Sequence, residues 1–435
     1  MLKVFFSVLA GNTVRIISQI LNLGSGATWS GEVALWVEPK VLEKISKMCR
    51  QVILVTGTNG KTTTVKMLET IMGKTSFSNR TGANLLNGIA ASFIANFFTL
   101  FLRRKTTAIL EIDEAAFPLI LKKIEPKAVV ILNLFRDQLD RYGEVNMVAA
   151  KWRKALSALG LSVSLILNAD DPEVASLGTN SKAKVYYFGL EEGGEFAQRK
   201  QAENWGDSIF CPKCGAKLIF KKVFFSHLGH WLCNNCQFKR AKTEANEKKY
   251  NIKTFNLYNK YNLLAAIQTG LIFLKNEKEV LSRISVMEPA FGRWESFESH
   301  NFGSKGITLV LSKNPTGTTE NLRLVWEQKD LGSLLFILND RIPDGLDVSW
   351  IWDIHFEKKA RQIPFVVISG TRYLDMALRL KYEEIFEKKA SLEKNLKKAI
   401  LKTLNKTEKN RQVYILATYS GMLEARKLIT GKKIL

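Results

Sequence analysis

Acidic side chains are scarce in this sequence: 41 Asp and Glu stand against 64 Lys and Arg, leaving a formal net charge of +23. That imbalance favours an anionic partner, whether nucleic acid, a phosphate-rich substrate or an acidic membrane face, and does not by itself choose among them. Many of the lysines sit in pairs spread along the chain, such as Lys221-Lys222, Lys388-Lys389, Lys397-Lys398 and Lys432-Lys433, and most of them read as solvated faces. Cysteine is scarce too, with 5 in 435 residues. Four of these form two Cys-x-x-Cys pairs, a pattern that in a long, unstapled chain points to metal rather than disulfides. Cys49 has no His or acid beside it and reads as a packing residue. A cleavable leader is not evident, because Asn12, Thr13 and Arg15 interrupt the N-terminal apolar run, and the expected location is cytoplasmic. Residues 85–102 are almost wholly apolar but contain Asn87, Ser92, Asn96 and Thr99, so they read as a buried helix packed on a sheet rather than a membrane span. No internal repeat or low-complexity tract is present.

With 46% hydrophobic residues the chain can bury a large core, and its length exceeds one ordinary domain. Helical spacing of Val14, Ile16, Ile17, Ile20 and Leu21 marks a small N-terminal lobe, residues 1–50. Short β-rich runs at 52–55, 108–112, 128–132, 165–168 and 185–188 then alternate with helical stretches. Strands separated by helices imply a parallel, doubly wound α/β sheet that binds ligands at the carboxyl ends of its strands. This central domain is expected over residues 51–288, with an insertion at about 205–245 that breaks the rhythm. New strands at 307–311, 334–338, 365–369 and 413–417 define a C-terminal α/β, Rossmann-like domain over 289–435.

Residues 55–64, Val-Thr-Gly-Thr-Asn-Gly-Lys-Thr-Thr-Thr, lie between a predicted strand and a predicted helix. Glycines let successive N–H groups turn toward a phosphate, the helix start adds its positive end, and a lysine offsets charge between phosphates. Gly57, Thr58, Asn59, Gly60, Lys61, Thr62 and Thr63 therefore form the candidate ATP-binding loop, with the Thr62 hydroxyl a candidate Mg²⁺ ligand. At Glu111-Ile112-Asp113-Glu114 a hydrophobic strand ends in carboxylates; Glu111 is the expected second magnesium ligand, and Asp113 and Glu114 read as helix-starting acids. Cys211-Pro-Lys-Cys214 and Cys233-Asn-Asn-Cys236 have the spacing of a zinc ribbon, whose four thiolates close a structural tetrahedral site. His227 and His230 lie between the pairs as substitute ligands the site does not need. Zinc ribbons also bind nucleic acid, and Lys217, Lys221, Lys222, Lys239, Arg240 and Lys242 keep that reading open. Phe220, Phe224, Phe225, Trp231 and Phe238 are equally explained as the core of a small metal-held module, and no nucleic acid is expected.

The loop Gly-Thr-Asn-Gly-Lys-Thr-Thr resembles that of the Mur ligase superfamily, as do three further segments. Residues 133–143 resemble Thr-Asn-x-x-x-Asp-His-Leu-Asp-x-x-Gly, with Gln138 in place of a histidine that ligates metal in many relatives. Residues 258–266 resemble His-Asn-x-x-Asn-x-x-Ala-Ala, whose asparagines, here Asn259 and Asn262, reach the nucleotide. Gly292-Arg293-Trp294-Glu295 resembles a Gly-Arg-x-Glu hinge, whose arginine, here Arg293, contacts phosphate. Lys151, with Lys154 as competitor, falls by position where many Mur ligases carry a carbamylated lysine that supports magnesium.

Within that superfamily the chain is most similar to the MurT family. The insert, the absence of an Asp-Tyr-Ala-His-x-Pro segment near residues 308–317, and the stretches 339–353 and 369–377 all favour it. The resemblance implies ATP-dependent amidation of the D-glutamate α-carboxylate of lipid II through an acyl phosphate. It also implies Mg²⁺ and Zn²⁺, a GatD-type glutaminase as partner, and work at the inner face of the membrane. An aspartate of the first stretch is implicated in amidation: Asp347, with Asp344 as competitor in a Pro-Asp-Gly turn. No Cys-His nucleophile pair is evident with which the chain could itself release ammonia from glutamine. Two alternatives are an amino-acid-adding ligase on a UDP-linked precursor and a zinc-ribbon ATPase that binds nucleic acid.

Overall fold

The computed structural model describes residues 2–21, 27–79, 83–103, 106–136, 145–192, 207–250, 252, 257–285, 294–298, 306–357, 363–385 and 389–431. The chain divides into two compact units, one holding the described residues up to Ser285 apart from Arg136, the other those from Trp294 onward.

In the first unit, β1 (Gln51–Thr56), β2 (Ser76–Ser78), β3 (Thr107–Glu111), β4 (Ala128–Ile131), β5 (Ser164–Asn168) and β6 (Lys184–Phe188) form one sheet in the order β2-β3-β1-β4-β5-β6. Every pairing is parallel. The runs Val52 to Val55, Ala108 to Leu110 and Ala128 to Leu132 are buried on both faces, which is why they read as continuous apolar segments rather than alternating ones. From β1 the chain builds outward through β3 and β2 on one side and through β4, β5 and β6 on the other. The carboxyl end of β1 is therefore where the strand order reverses, the place at which open α/β sheets leave a crevice. The Lys61–Met72 and Leu257–Leu274 helices pack together on this sheet and supply Val65, Leu68, Ile71, Leu264 and Ile267 to its core.

Two expectations change in this unit. The helical spacing of Val14, Ile16, Ile17 and Ile20 belongs to a longer helix, Leu2–Ile20. The stretch at 85–102 is not one buried helix but two, Leu86–Ala95 and Phe97–Leu102, separated at Asn96, whose Nδ2 donates to the Ser92 carbonyl at 2.9 Å. The first is largely buried, whereas Phe98, Phe101 and Leu102 of the second are exposed.

The insertion forms an antiparallel hairpin of β7 (Ile219–Phe225) and β8 (Leu228–Leu232). Its aromatics divide between two cores. Phe220, Trp231 and Phe238 pack around the cysteines, while Phe224 and Phe225 enter the core of the main sheet and tie the insert to it.

The second unit is a six-stranded sheet in the order β13-β12-β11-β14-β10-β9, from β9 (Glu295–Glu298), β10 (Gly306–Leu311), β11 (Leu331–Ile337), β12 (Phe365–Ser369), β13 (Ala390–Leu392) and β14 (Gln412–Ala417). All its pairings are parallel except that of β9 with β10, so the sheet is mixed.

Candidate functional site

The phosphate loop leaves the carboxyl end of β1 and enters the Lys61–Met72 helix. Gly57 and Gly60 have φ of 132° and 96°, where a Cβ would be strained. At Gly60 a Cβ would also come within 2.0 Å of Asn262 Oδ1, so Asn262, from the Leu257–Leu274 helix, lies directly against the loop. Its Nδ2 is buried without a hydrogen-bond partner among the described residues. The helix start has no side-chain cap, which leaves its first amides available to an anion.

The loop is held from below by the segment after β4. Thr58 N–H donates to the Asn133 carbonyl at 3.0 Å, Asn59 N–H to Asn133 Oδ1 at 2.8 Å, and Asn133 Nδ2 back to the Asn59 carbonyl at 2.9 Å. Thr58 Oγ1 donates to the Phe135 carbonyl and accepts from the Phe135 N–H. These contacts fix the loop's shape in advance.

Lys61 is buried, and its Nζ donates to the Gly57 carbonyl at 2.6 Å and to Glu114 Oε2 at 3.1 Å. Glu114 is thus no helix-starting surface acid but the buried counter-ion of the loop lysine. Glu111 sits at the end of β3 with both its backbone groups bonded to the Asn79 amide. Its Oε2 accepts from Thr62 Oγ1 at 2.8 Å. Two adjacent oxygen ligands on an octahedral Mg²⁺ lie about 2.9 Å apart, so this pair fits that ion. Thr63 is buried one residue further along.

Lys151 is exposed on the Val145–Leu156 helix. With Lys154 its side chain lines a cleft formed with Gln51, Val52, Lys127 and Val163, at the amino ends of the strands. Trp152, between the two lysines on the Val145–Leu156 helix, donates its Nε1 to the Glu114 carbonyl at 2.9 Å, so this stretch of helix passes beside the acid that pairs with Lys61. Asn259 stands one turn before Asn262, half-buried. Gln138 and Arg293 lie outside the described residues.

The sulfurs of Cys211, Cys214, Cys233 and Cys236 are all within 4.8 Å of one another. A tetrahedral zinc with bonds of about 2.3 Å needs sulfurs about 3.8 Å apart, which this cluster fits. Both knuckles close alike: Gly215 N–H donates to the Cys211 carbonyl and Gln237 N–H to the Cys233 carbonyl, with φ of 75° and 60° at the two closing residues. Neither histidine joins them. His230 Nε2 bonds the Leu190 carbonyl, and His227, at the hairpin tip, is fully buried 3.4 Å from Asp171 Oδ2 with its ring against Phe135. Asp171 also accepts from the Leu134 N–H, so the hairpin tip braces the segment that shapes the phosphate loop. Asp170 next to it is wholly buried and accepts from Arg240 Nε, Tyr261 OH and the Leu190 N–H. Burial raises its pKa, and the Arg240 guanidinium pulls it back. Sequence reasoning missed this anchor; an Asp-Asp pair directly after a strand was its visible signal.

In the second unit, Asp344 and Asp347 follow the carboxyl end of β11. Asp344 is buried and accepts from both the backbone N–H and the hydroxyl of Ser420, at the start of the Tyr419–Thr430 helix. Asp347 is half-exposed and accepts from the Ser349 N–H at 2.7 Å and its hydroxyl at 2.8 Å. Nearby, Asn339 bonds Thr418, Ser420 and Thr371, and Arg372 pairs with Asp340 and Asp375.

Residues 55–270 match the Mur ligase middle domain, and residues 311–422 match the MurT ligase C-terminal family. The chain is 32% identical over 459 residues to the lipid II isoglutaminyl synthase (glutamine-hydrolyzing) subunit MurT of Streptococcus pneumoniae, covering 100% of this chain and 98% of that one. It is 33% identical over 401 residues to the subunit of the same name from Staphylococcus aureus strain N315, covering 87% and 88%. Among solved structures, a pseudomurein peptide ligase type C from Methanothermus fervidus is similar with a TM-score of 0.63 at 20% identity, covering 90% of this chain and 81% of that one. MurF from Acinetobacter baumannii follows with a TM-score of 0.60 at 17% identity, covering 92% and 80%. At such identities these two likenesses speak to the fold alone.

Proposed function

The chain belongs to the MurT family of Mur-type ligases, and from that premise we propose that it is the ligase subunit of a lipid II isoglutaminyl synthase in peptidoglycan biosynthesis. It uses ATP to amidate the α-carboxylate of D-glutamate in the lipid II stem peptide, with ammonia supplied by a GatD-type glutaminase. The observation that carries this reading is an intact, pre-shaped phosphate loop in a chain that matches, over its whole length, a protein named as this subunit.

A free carboxylate is a poor electrophile. In the proposed mechanism one of its oxygens attacks the γ-phosphorus of ATP, the bond to the ADP oxygen breaks, and an acyl phosphate forms. Ammonia then adds to the acyl carbon, inorganic phosphate leaves with the C–O bond electrons, and the nitrogen loses a proton to give the amide. Lys61, fixed over the loop by the Gly57 carbonyl, offsets charge on the transferring phosphoryl group, and the amides of Gly57 to Thr62 orient it. Thr62 and Glu111 would hold Mg²⁺, which when bound neutralises phosphate charge. Asn262, and by family resemblance Asn259 and Arg293, complete the nucleotide contacts. Cys211, Cys214, Cys233 and Cys236 would hold zinc in a closed structural site. In the second unit Asp347 is the aspartate assigned to amidation, because its carboxylate is half-exposed while that of Asp344 is buried and engaged by Ser420. The membrane-bound substrate places the enzyme at the inner face of the membrane, where its positive charge suits anionic lipid.

The test is to incubate the chain with lipid II, ATP, Mg²⁺ and an ammonium salt and to weigh the lipid-linked product. Conversion of acid to amide lowers its mass slightly. A gain corresponding to a whole amino acid would instead establish a peptide ligase, and ATPase activity stimulated only by nucleic acid would remove both readings.

A further inference from the structure

The Leu2–Ile20 helix packs in an inverted sense. Its buried residues are Val4, Ser7, Val8, Gly11 and Ser18, mostly small. The Ala27–Val37 helix meets it with buried Ser30, Gly31 and Ala34. Ser7 Oγ donates to the Ala34 carbonyl at 3.0 Å, and a Cβ on Gly11 would come within 2.7 Å of the Ser30 carbonyl oxygen. On the other side of Ala27–Val37 the approach is closer still, since a Cβ on Gly31 would lie 1.7 Å from the Asn87 carbonyl oxygen. The large apolar residues face outward: Phe5, Phe6, Leu9, Ile16, Ile17 and Ile20 are 46–72% exposed. At about 100° per residue these six fall within a stripe of about 120° centred opposite the buried set. On the second helix Trp29 and Trp36 are 70% and 85% exposed.

A helix that lives in water hides its Phe and Ile and shows its Ser and Gly. Small residues at the contact and large apolar ones outside is the arrangement of helices whose outer medium is lipid, where association depends on close backbone approach rather than on hiding apolar surface. The charge of the pair is weakly positive: the Leu2–Ile20 helix contains Lys3 and Arg15 and no acid, and the Ala27–Val37 helix contains Glu32 alone. Among the described residues no helix is long and apolar enough to cross a membrane. Exposed Trp side chains favour the headgroup boundary.

We propose that the Leu2–Ile20 helix, with Trp29 and Trp36 of the helix packed against it, is an in-plane anchor that seats the chain on an anionic bilayer surface. The purpose of such an anchor rests on the lipid II reading, because a substrate held in the bilayer is met only by an enzyme that stays there. The binding itself does not depend on that reading.

The experiment is co-sedimentation of the full chain with vesicles of phosphatidylcholine, with and without phosphatidylglycerol, at low and high salt. Binding is expected with the anionic vesicles and should survive high salt in part, because apolar side chains are inserted. A Phe6→Ser/Ile17→Ser double variant should bind about tenfold or more weaker, since each substitution withdraws a buried apolar side chain. Leu161→Ser, which removes a still more exposed leucine elsewhere on the same unit, should bind as the parent does. Unchanged melting temperatures establish that both variants fold. The proposal is overturned if the parent stays in solution with anionic vesicles, if the double variant binds as well as the parent, or if high salt abolishes all binding. A dimer that the double substitution dissolves, without vesicle binding by the parent, would instead assign the stripe to a second copy of the chain. Intact vesicle binding without amidation would strike the lipid II reading and leave the anchor standing.

Discussion

Lys61 and Glu114 face each other at 3.1 Å with almost no solvent access, so each is the other's compensation for burial. Removing one charge of such a pair costs about 3–5 kcal/mol, because the remaining charge keeps its desolvation penalty. Lys61→Ala is therefore expected to lower both stability and turnover, the latter by roughly two orders of magnitude or more through loss of phosphoryl charge compensation. Adding Glu114→Gln should restore most of the stability and none of the activity. Denaturant melts and single-turnover amidation on the two variants separate these effects; recovery of activity in the double variant would show that Lys61 serves only to neutralise Glu114. A second residue makes a pH prediction. Glu173 has its pKa raised from 4.5 to about 7 by burial and then by the adjacent Asp171 carboxylate, against the opposing pull of Arg153 and His227. The folded state holds this proton more tightly than the unfolded chain, so between pH 4.5 and 7 stability falls as pH rises, by about 3 kcal/mol at most. Glu173→Gln removes the penalty, and its advantage in melting temperature over the parent should grow from pH 5 to pH 8. A gap that stays constant with pH would show that Glu173 ionises normally.

At the scale of elements, the four-cysteine insert is more than an appended module. Its hairpin tip places His227 against Asp171 and Phe135, its strand residue Trp231 donates to the Ala169 carbonyl, and Arg240 pairs with the wholly buried Asp170. Metal removal by a strong chelator, or Cys233→Ser, should thus lower the melting temperature of the first unit and weaken nucleotide binding, although no cysteine touches the phosphate loop. Zinc content by elemental analysis and nucleotide affinity by calorimetry check this; full affinity in metal-free protein would show that the insert is energetically separate. The two aspartates after β11 divide in the same way. Asp344 caps the Tyr419–Thr430 helix, and Asp344→Ala should cost about 1–2 kcal/mol of stability in the second unit. Asp347→Asn keeps an acceptor for Ser349 while removing the charge, so the fold should persist while amidation with the partner present falls sharply. Full amidation by Asp347→Asn would end that assignment.

For the whole molecule, what could be read from the chain was whatever is specified locally. Backbone turns that demand Gly57 and Gly60, paired cysteines with zinc-ribbon spacing, and fully buried strands with continuous apolar runs are all written in short windows. The three- and four-residue edge strands β2, β9 and β13 are too short to show a period, and the ionic partners Glu114 of Lys61 and Arg240 of Asp170 lie 53 and 70 residues away along the chain. The cleft that the Lys151 side chain lines likewise depends on the direction and facing of a helix, which sequence position does not reveal. The lack of an evident Cys-His nucleophile pair belongs to the same legible class, and it makes the final prediction one about the isolated chain. Supplied with ATP, Mg²⁺ and lipid II, the chain alone should form the amide from ammonium and not from glutamine, and its rate should rise with pH as ammonium gives up its proton to become nucleophilic ammonia. Adding a glutaminase subunit should make glutamine the better donor at neutral pH, because ammonia is then delivered rather than drawn from a mostly protonated pool. Glutamine use by the chain alone, free of any second protein by mass analysis, would require a nucleophile that is not evident in its sequence.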